Sequence, residues 1–145
     1  MRVAAVPAFL ALCLLSCASI SPFSLKAYEQ ATSLKVDALA LMSKAQEPFR
    51  HHREEVAALV GTIEKAYEFA RGRPNNEVTT RQWEILKDPE RRSLGGFLKR
   101  WERESTLSES FIREARGLVA DGFDTIIGLE SGKRGAEDVQ TPGGS

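Results

Sequence analysis

The sequence has little cysteine, little histidine and no excess of charge of either sign. Its two cysteines, Cys13 and Cys17, both fall near the amino terminus. Everything after Cys17 therefore lacks a thiol for a disulfide, a thiolate metal site or a cysteine nucleophile. The two histidines, His51 and His52, are adjacent. A zinc site normally takes three or four protein ligands, so this pair needs help from elsewhere in the chain. Lys and Arg number 20, and so do Asp and Glu. A balanced chain lacks the basic excess that marks a dedicated nucleic-acid binder. The longest apolar run, Val3 to Leu15, is about 13 residues, where a spanning helix needs roughly 20. Phosphate-binding and dinucleotide-binding glycine loops, a calcium loop, a haem-attachment CxxCH and a Gly-x-Ser-x-Gly elbow are all missing. Acidic residues are common, yet no pair is marked out for hydrolysis. The expectation is a chain that is not an enzyme.

What is present begins with an address. Met1-Arg2 supplies a positive charge, and the uncharged run to Leu15 follows it. These are the first two parts of a secretory signal. The run closes on Leu14-Leu15-Ser16-Cys17. This motif resembles the lipobox of bacterial lipoproteins, and the resemblance covers this segment alone. It implies a signal peptide over residues 1–16, cleavage after Ser16, and lipidation of Cys17 with palmitate-type acylation of the new amino terminus. An ordinary secretory signal cut after Ala18 or Ser19 is the alternative. The lipid on Cys17 is the one covalent group expected, with no other cofactor. Several acyl chains hold a protein firmly where a single one does so marginally. Ala18 and Ser19 follow the cysteine where an Asp would favour inner-membrane retention. The expected address is the bacterial cell envelope, at the outer membrane and facing the periplasm. Residues 17–22 form a tether, and if extended it lets the folded part begin within about 20 Å of the lipid.

Residues 23–131 read as an all-α domain. From Phe23 to about Arg71 a seven-residue register runs through Tyr28, Lys35, Met42, Phe49, Val56, Ile63 and Ala70, with Ala31, Ala38, Ala45, His52, Leu59 and Ala66 as its partner positions, and only Lys35 and His52 break its apolar character. Such a stripe suits a core-facing bundle helix. Pro48 interrupts it, because proline removes a helical donor and its ring clashes with the preceding turn. Two readings follow: one long helix kinked at Pro48, or two helices meeting near Gln46 and Glu47. The unbroken phase and the lack of a nearby Gly or Asn favour the kink. Gly72 is expected as a left-handed cap before Pro74. Thr79 with Gln82, and Thr106 with Glu109, have capping-box spacing. Asp88-Pro89 has the pattern of a helix start. Between these marks lie Trp83, Ile85 and Leu86, then Leu94, Phe97, Leu98 and Trp101, then Phe111 to Leu129. The expected fold is a small helical bundle, one long N-terminal helix packed by two or three shorter ones. Residues 132–145 turn polar and glycine-rich and read as a disordered tail.

Three surfaces stand out. His51 and Glu55 are four residues apart and His52 and Glu55 three, so His51, His52 and Glu55 are the candidate metal ligands. Against that stands the plainer reading of solvated or cap-like histidines beside Pro48. Arg91, Arg92, Lys99 and Arg100 surround Phe97 and Trp101, a pattern that can lie on an anionic membrane surface. Glu90, Glu102 and Glu104 dilute its charge, and a buried apolar stripe with a mixed solvated face explains the same spacing. Gly95-Gly96 inside that helix marks a close backbone approach, by a ligand or by another part of the bundle.

The leading expectation is a non-catalytic, membrane-anchored envelope lipoprotein, a helical module that binds or positions an unidentified envelope protein. A small-ligand- or metal-binding lipoprotein is the second reading. A lysis or envelope-stress lipoprotein acting on the membrane is the third.

Overall fold

The computed structural model describes residues 21–135 and 138–139. The expected signal peptide, its cleavage point at Ser16 and the lipidation site Cys17 lie outside these residues. Five α-helices are present, with no strand among the described residues: α1 (Leu25–Met42), α2 (Arg53–Arg71), α3 (Glu77–Lys87), α4 (Leu94–Glu104) and α5 (Glu109–Glu130). The all-α expectation holds. No helix among the described residues is long and apolar enough to cross a membrane.

Side-chain pairs fix the helix directions. Lys44 meets Glu55 at one end of α1 and Lys26 lies over Phe69 at the other, so α1 and α2 are antiparallel. Tyr67 reaches Glu84 and Lys87 reaches Glu64, which makes α2 and α3 antiparallel. Lys35 pairs with Asp124 across α1 and α5, and the Leu107 N–H donates to the Ala45 carbonyl at their shared end. Each of α1 and α3 packs against both α2 and α5, which closes a four-sided bundle. Pro22, the α2–α3 turn and the end of α5 gather at one end. The α1–α2 turn, the end of α4 and the start of α5 gather at the other.

The core follows the seven-residue register. Ala31, Ala38, Met42, Ala45, Phe49, Val56, Leu59, Ile63, Ala66 and Ala70 are all buried. The kinked helix does not form. The segment instead makes a hairpin, with α1 ending at Met42, a short 3-10 turn over Phe49–His51, and α2 starting at Arg53. Residues 44, 45 and 47 donate to carbonyls three positions back, which tightens the chain out of the helix. Pro48 then takes an extended conformation, φ −59° and ψ 127°, and reverses direction. The turn stays open because distant partners satisfy its backbone. The Phe49 N–H donates to the Ser105 carbonyl at 2.8 Å, and the Leu107 N–H to the Ala45 carbonyl at 2.8 Å. The phase survives because both helices face the same core, and a repeat reports which face is buried without reporting the helix direction.

Local signals also shifted. Gly72 stays right-handed at φ −76°, and Asn75 takes the left-handed conformation at φ 55°. Asn76 precedes α3, and its side chain donates to the Ala70 carbonyl, while Thr79 is buried in the first turn. Asp88 makes a turn, accepting the Glu90 N–H, and Ser93 is the residue before α4. Ser108, not Thr106, caps α5 by accepting the Phe111 N–H. The expected tail starts in an ordered way. Gly132, at φ 70°, donates to the Leu129 carbonyl and Lys133 to that of Gly128, a glycine-closed helix end.

Candidate functional site

α4 is strongly two-faced. Leu94, Phe97, Leu98 and Trp101 are buried, at spacings of three, four and seven, and its opposite face carries Lys99, Arg100 and Arg103. The helix can sit this close only because it begins on two glycines. A β-carbon on Gly95 would lie 2.2 Å from the Lys87 carbonyl oxygen, and one on Gly96 would lie 1.8 Å from that of Arg91. The close approach expected at this pair is made by the chain's own backbone.

Between α4, the turn before it and the first half of α5 lies a groove of about 580 Å³. Arg91 and Arg92 stand on the turn, Lys99, Arg100 and Arg103 on α4, and Glu90 and Glu114 are the acidic residues of its lining. The floor is aromatic. Phe97 stacks on Phe111 with parallel rings 6.0 Å apart, and the Arg100 guanidinium lies 4.1 Å above the Phe111 ring. A cation over an aromatic face adds about 0.5–1 kcal/mol at an exposed site. Leu118 extends the floor and is 44% exposed.

Each groove cation has an acidic neighbour. Arg91 pairs with Asp88, Arg92 with Glu114, Lys99 with Glu90, and Arg100 and Arg103 with Glu104. Two guanidiniums converge on Glu104 and hold its carboxyl below the usual carboxylate range, Arg103 before Arg100. These pairs are exposed, and such pairs contribute about 0–1 kcal/mol each. They hold the cations in place at little energy, so an incoming carboxylate can exchange with the resident one.

The membrane-surface set drawn from α4 is thereby corrected. Trp101 is fully buried and Phe97 is 3% exposed. Trp101 turns inward, donates its indole N–H to the Glu47 carbonyl at 3.0 Å, and receives the Phe49 ring edge-on at 5.4 Å. Arg91, Arg92, Lys99 and Arg100 remain together, but as the rim of a groove. Phe111, Glu114 and Leu118 complete it from α5. The sequence shows Phe111 and Leu118 only as apolar residues of the last helix, since a stripe of three-and-four spacing does not say which of its edges is left uncovered.

Of the candidate metal residues, His52 and Glu55 meet and His51 stands apart. The His52 ring lies between two carboxylates, Nε2 at 2.7 Å from Glu47 and Nδ1 at 3.0 Å from Glu55. It also lies against Trp101, centroids 5.5 Å apart, while His51 stays exposed one residue away. Among the described residues, no three His, Cys, Asp or Glu side chains could hold one ion. Hydrogen bonding to Glu55, then to Glu47, raises the His52 pKa above its ordinary value. Lys44, then His52, lowers that of Glu55. This is a charged clasp across the α1–α2 turn.

At the opposite end, Arg73 binds two segments at once. It reaches the buried Glu130 at 2.5 Å and donates to the Pro22 carbonyl at 2.7 Å. Phe23 and Leu25, just after Pro22, are 60% and 58% exposed. No protein-family model, curated protein or solved structure matches the chain.

Proposed function

We propose that this protein is a lipid-anchored bacterial envelope protein, a non-catalytic helical module whose α4–α5 groove docks an acidic segment of a partner protein. The observation that carries the reading is the groove itself. Five cations, held by weak and exchangeable pairs, ring a floor of Phe97, Phe111 and Leu118. Apolar contact on such a floor supplies affinity, and the rim selects charge and orientation.

Position supports the same reading. Leu118 lies twelve residues before the end of α5, about 18 Å of helix, and Phe111 about 28 Å. The end of α5 is joined through Arg73 to Pro22, the last residue of the proposed lipidated tether. A lipid on Cys17 would hold that end at the periplasmic face of the outer membrane and leave the groove directed away from it.

The test is photocrosslinking in cells from position 118, with position 36 on the outer face of α1 as control. An adduct from 118 alone, lost in Arg92→Glu/Arg100→Glu with unchanged thermal stability, is the expected result. Equal adducts from both positions, or an adduct indifferent to the charge reversal, would remove the groove from the function. The groove volume also lies in the range of small-molecule sites. A ligand-binding lipoprotein would give no protein adduct from 118, and its anionic ligand would raise the melting temperature of the wild type but not of the double variant.

A further inference from the structure

The end of the bundle opposite the groove carries a second surface. Phe23 and Leu25 are two of the most exposed large apolar side chains among the described residues. They stand directly after Pro22, where the tether meets the fold. Burying such side chains is favourable in general, so leaving both in water is a cost that a partner can relieve. Lys26 follows them on α1, its ammonium 4.9 Å above the Phe69 ring. Lys133 follows the closed end of α5, its N–H donating to the Gly128 carbonyl, at the end that Arg73 joins to Pro22. Exposed apolar side chains with cations at the same end of a bundle match the chemistry of a phospholipid interface.

The occupant is set by where the chain leaves the fold. From Cys17 to Pro22 the tether spans at most about 20 Å. Arg73 removes part of that freedom by clamping the Pro22 carbonyl to α2 and, through Glu130, to α5. We infer that Phe23 and Leu25 insert into the headgroup boundary of the bilayer that holds Cys17, with Lys26 and Lys133 on its anionic phosphates. This rests on the lipid-anchor reading. The bundle then stands on the membrane on this end, and the anchor and the fold behave as one body.

The experiment uses the full-length lipidated protein in vesicles of phosphatidylethanolamine and phosphatidylglycerol, some with acyl chains brominated near the glycerol. Leu25→Trp and Leu118→Trp are compared, both exposed positions that leave the core untouched. On brominated vesicles the emission added by Leu25→Trp should shift to the blue and be quenched, while Leu118→Trp should lose no more emission than the wild type, whose Trp83 and Trp101 are buried. Equal emission loss at both positions, with palmitate incorporation normal, would overturn the seating and leave the anchor standing. Absent palmitate incorporation would overturn both. Lys26→Glu/Lys133→Glu should weaken the Leu25→Trp quenching on anionic vesicles; quenching unchanged by that reversal would remove the cations from the proposal.

Discussion

His52 is held on both ring nitrogens by carboxylates, a geometry that only the imidazolium can satisfy fully, since both nitrogens must then donate. Its raised pKa gives the sign of the pH dependence. The contribution is complete below the unfolded value of about 6.5 and is lost as the pH climbs through the higher folded value. Glu55 works in the opposite direction, its contribution being lost as the pH falls through a lowered pKa. Urea midpoints measured at about pH 6 and about pH 8.5 should differ in the wild type. His52→Gln should flatten that difference, and an unchanged difference would assign it to other groups. Arg73 and Glu130 are a second residue-scale case, being 13% and 3% exposed. Removing one partner leaves a buried charge uncompensated, so Arg73→Ala should cost about 3 kcal/mol in urea denaturation. Replacing both partners, as in Arg73→Met/Glu130→Gln, should recover part of that loss.

At the scale of elements, α4 depends on its glycines. Gly95→Ala drives a β-carbon into the Lys87 carbonyl, and overpacking of this kind costs about 1–3 kcal/mol. The variant should melt earlier and, with the groove wall displaced, lose the position-118 adduct. Pro48 is less important than its place in the α1–α2 turn suggests. Phe49, Ala45 and Glu47 are all held by the α4–α5 junction, so Pro48→Ala should keep the hairpin and lose only about 0.4–1 kcal/mol of unfolded-state restriction. The same contacts explain what the sequence could and could not convey. Which residues face the core was legible, because burial of Ala31 through Ala70 follows a local repeat. The reversal at Pro48 was not, because its backbone partners, Ser105 and Leu107, are more than fifty residues away. The basic cluster of α4 was legible as a cluster. Its meaning was not, because Trp101 is drawn inward by the Glu47 carbonyl and the far wall belongs to α5. His52 was visible as a break in the stripe and as a neighbour of Glu55, but the carboxylate that completes its clasp, Glu47, lies on the other side of the proline.

The molecule as a whole separates two ends, one with the tether and exposed Phe23 and Leu25, the other with the groove. The lipid reading is exposed to a direct check: Cys17→Ala should abolish palmitate incorporation and stall processing. Normal labelling of that variant would detach the fold from the membrane and undo the assignment of ends. α5 carries residues of both regions, from Phe111 and Leu118 in the groove to Glu130 at the Arg73 clasp. That continuity has a mechanical consequence. With the lipid in place, a partner tugging at the groove loads α5 along its axis. The load leaves α5 by two routes, across its packed face to α1, which continues covalently into the tether, and through the Arg73 clasp to Pro22. The routes run in parallel, so losing the clasp leaves the grip on a partner to the α1–α5 packing and the lipid.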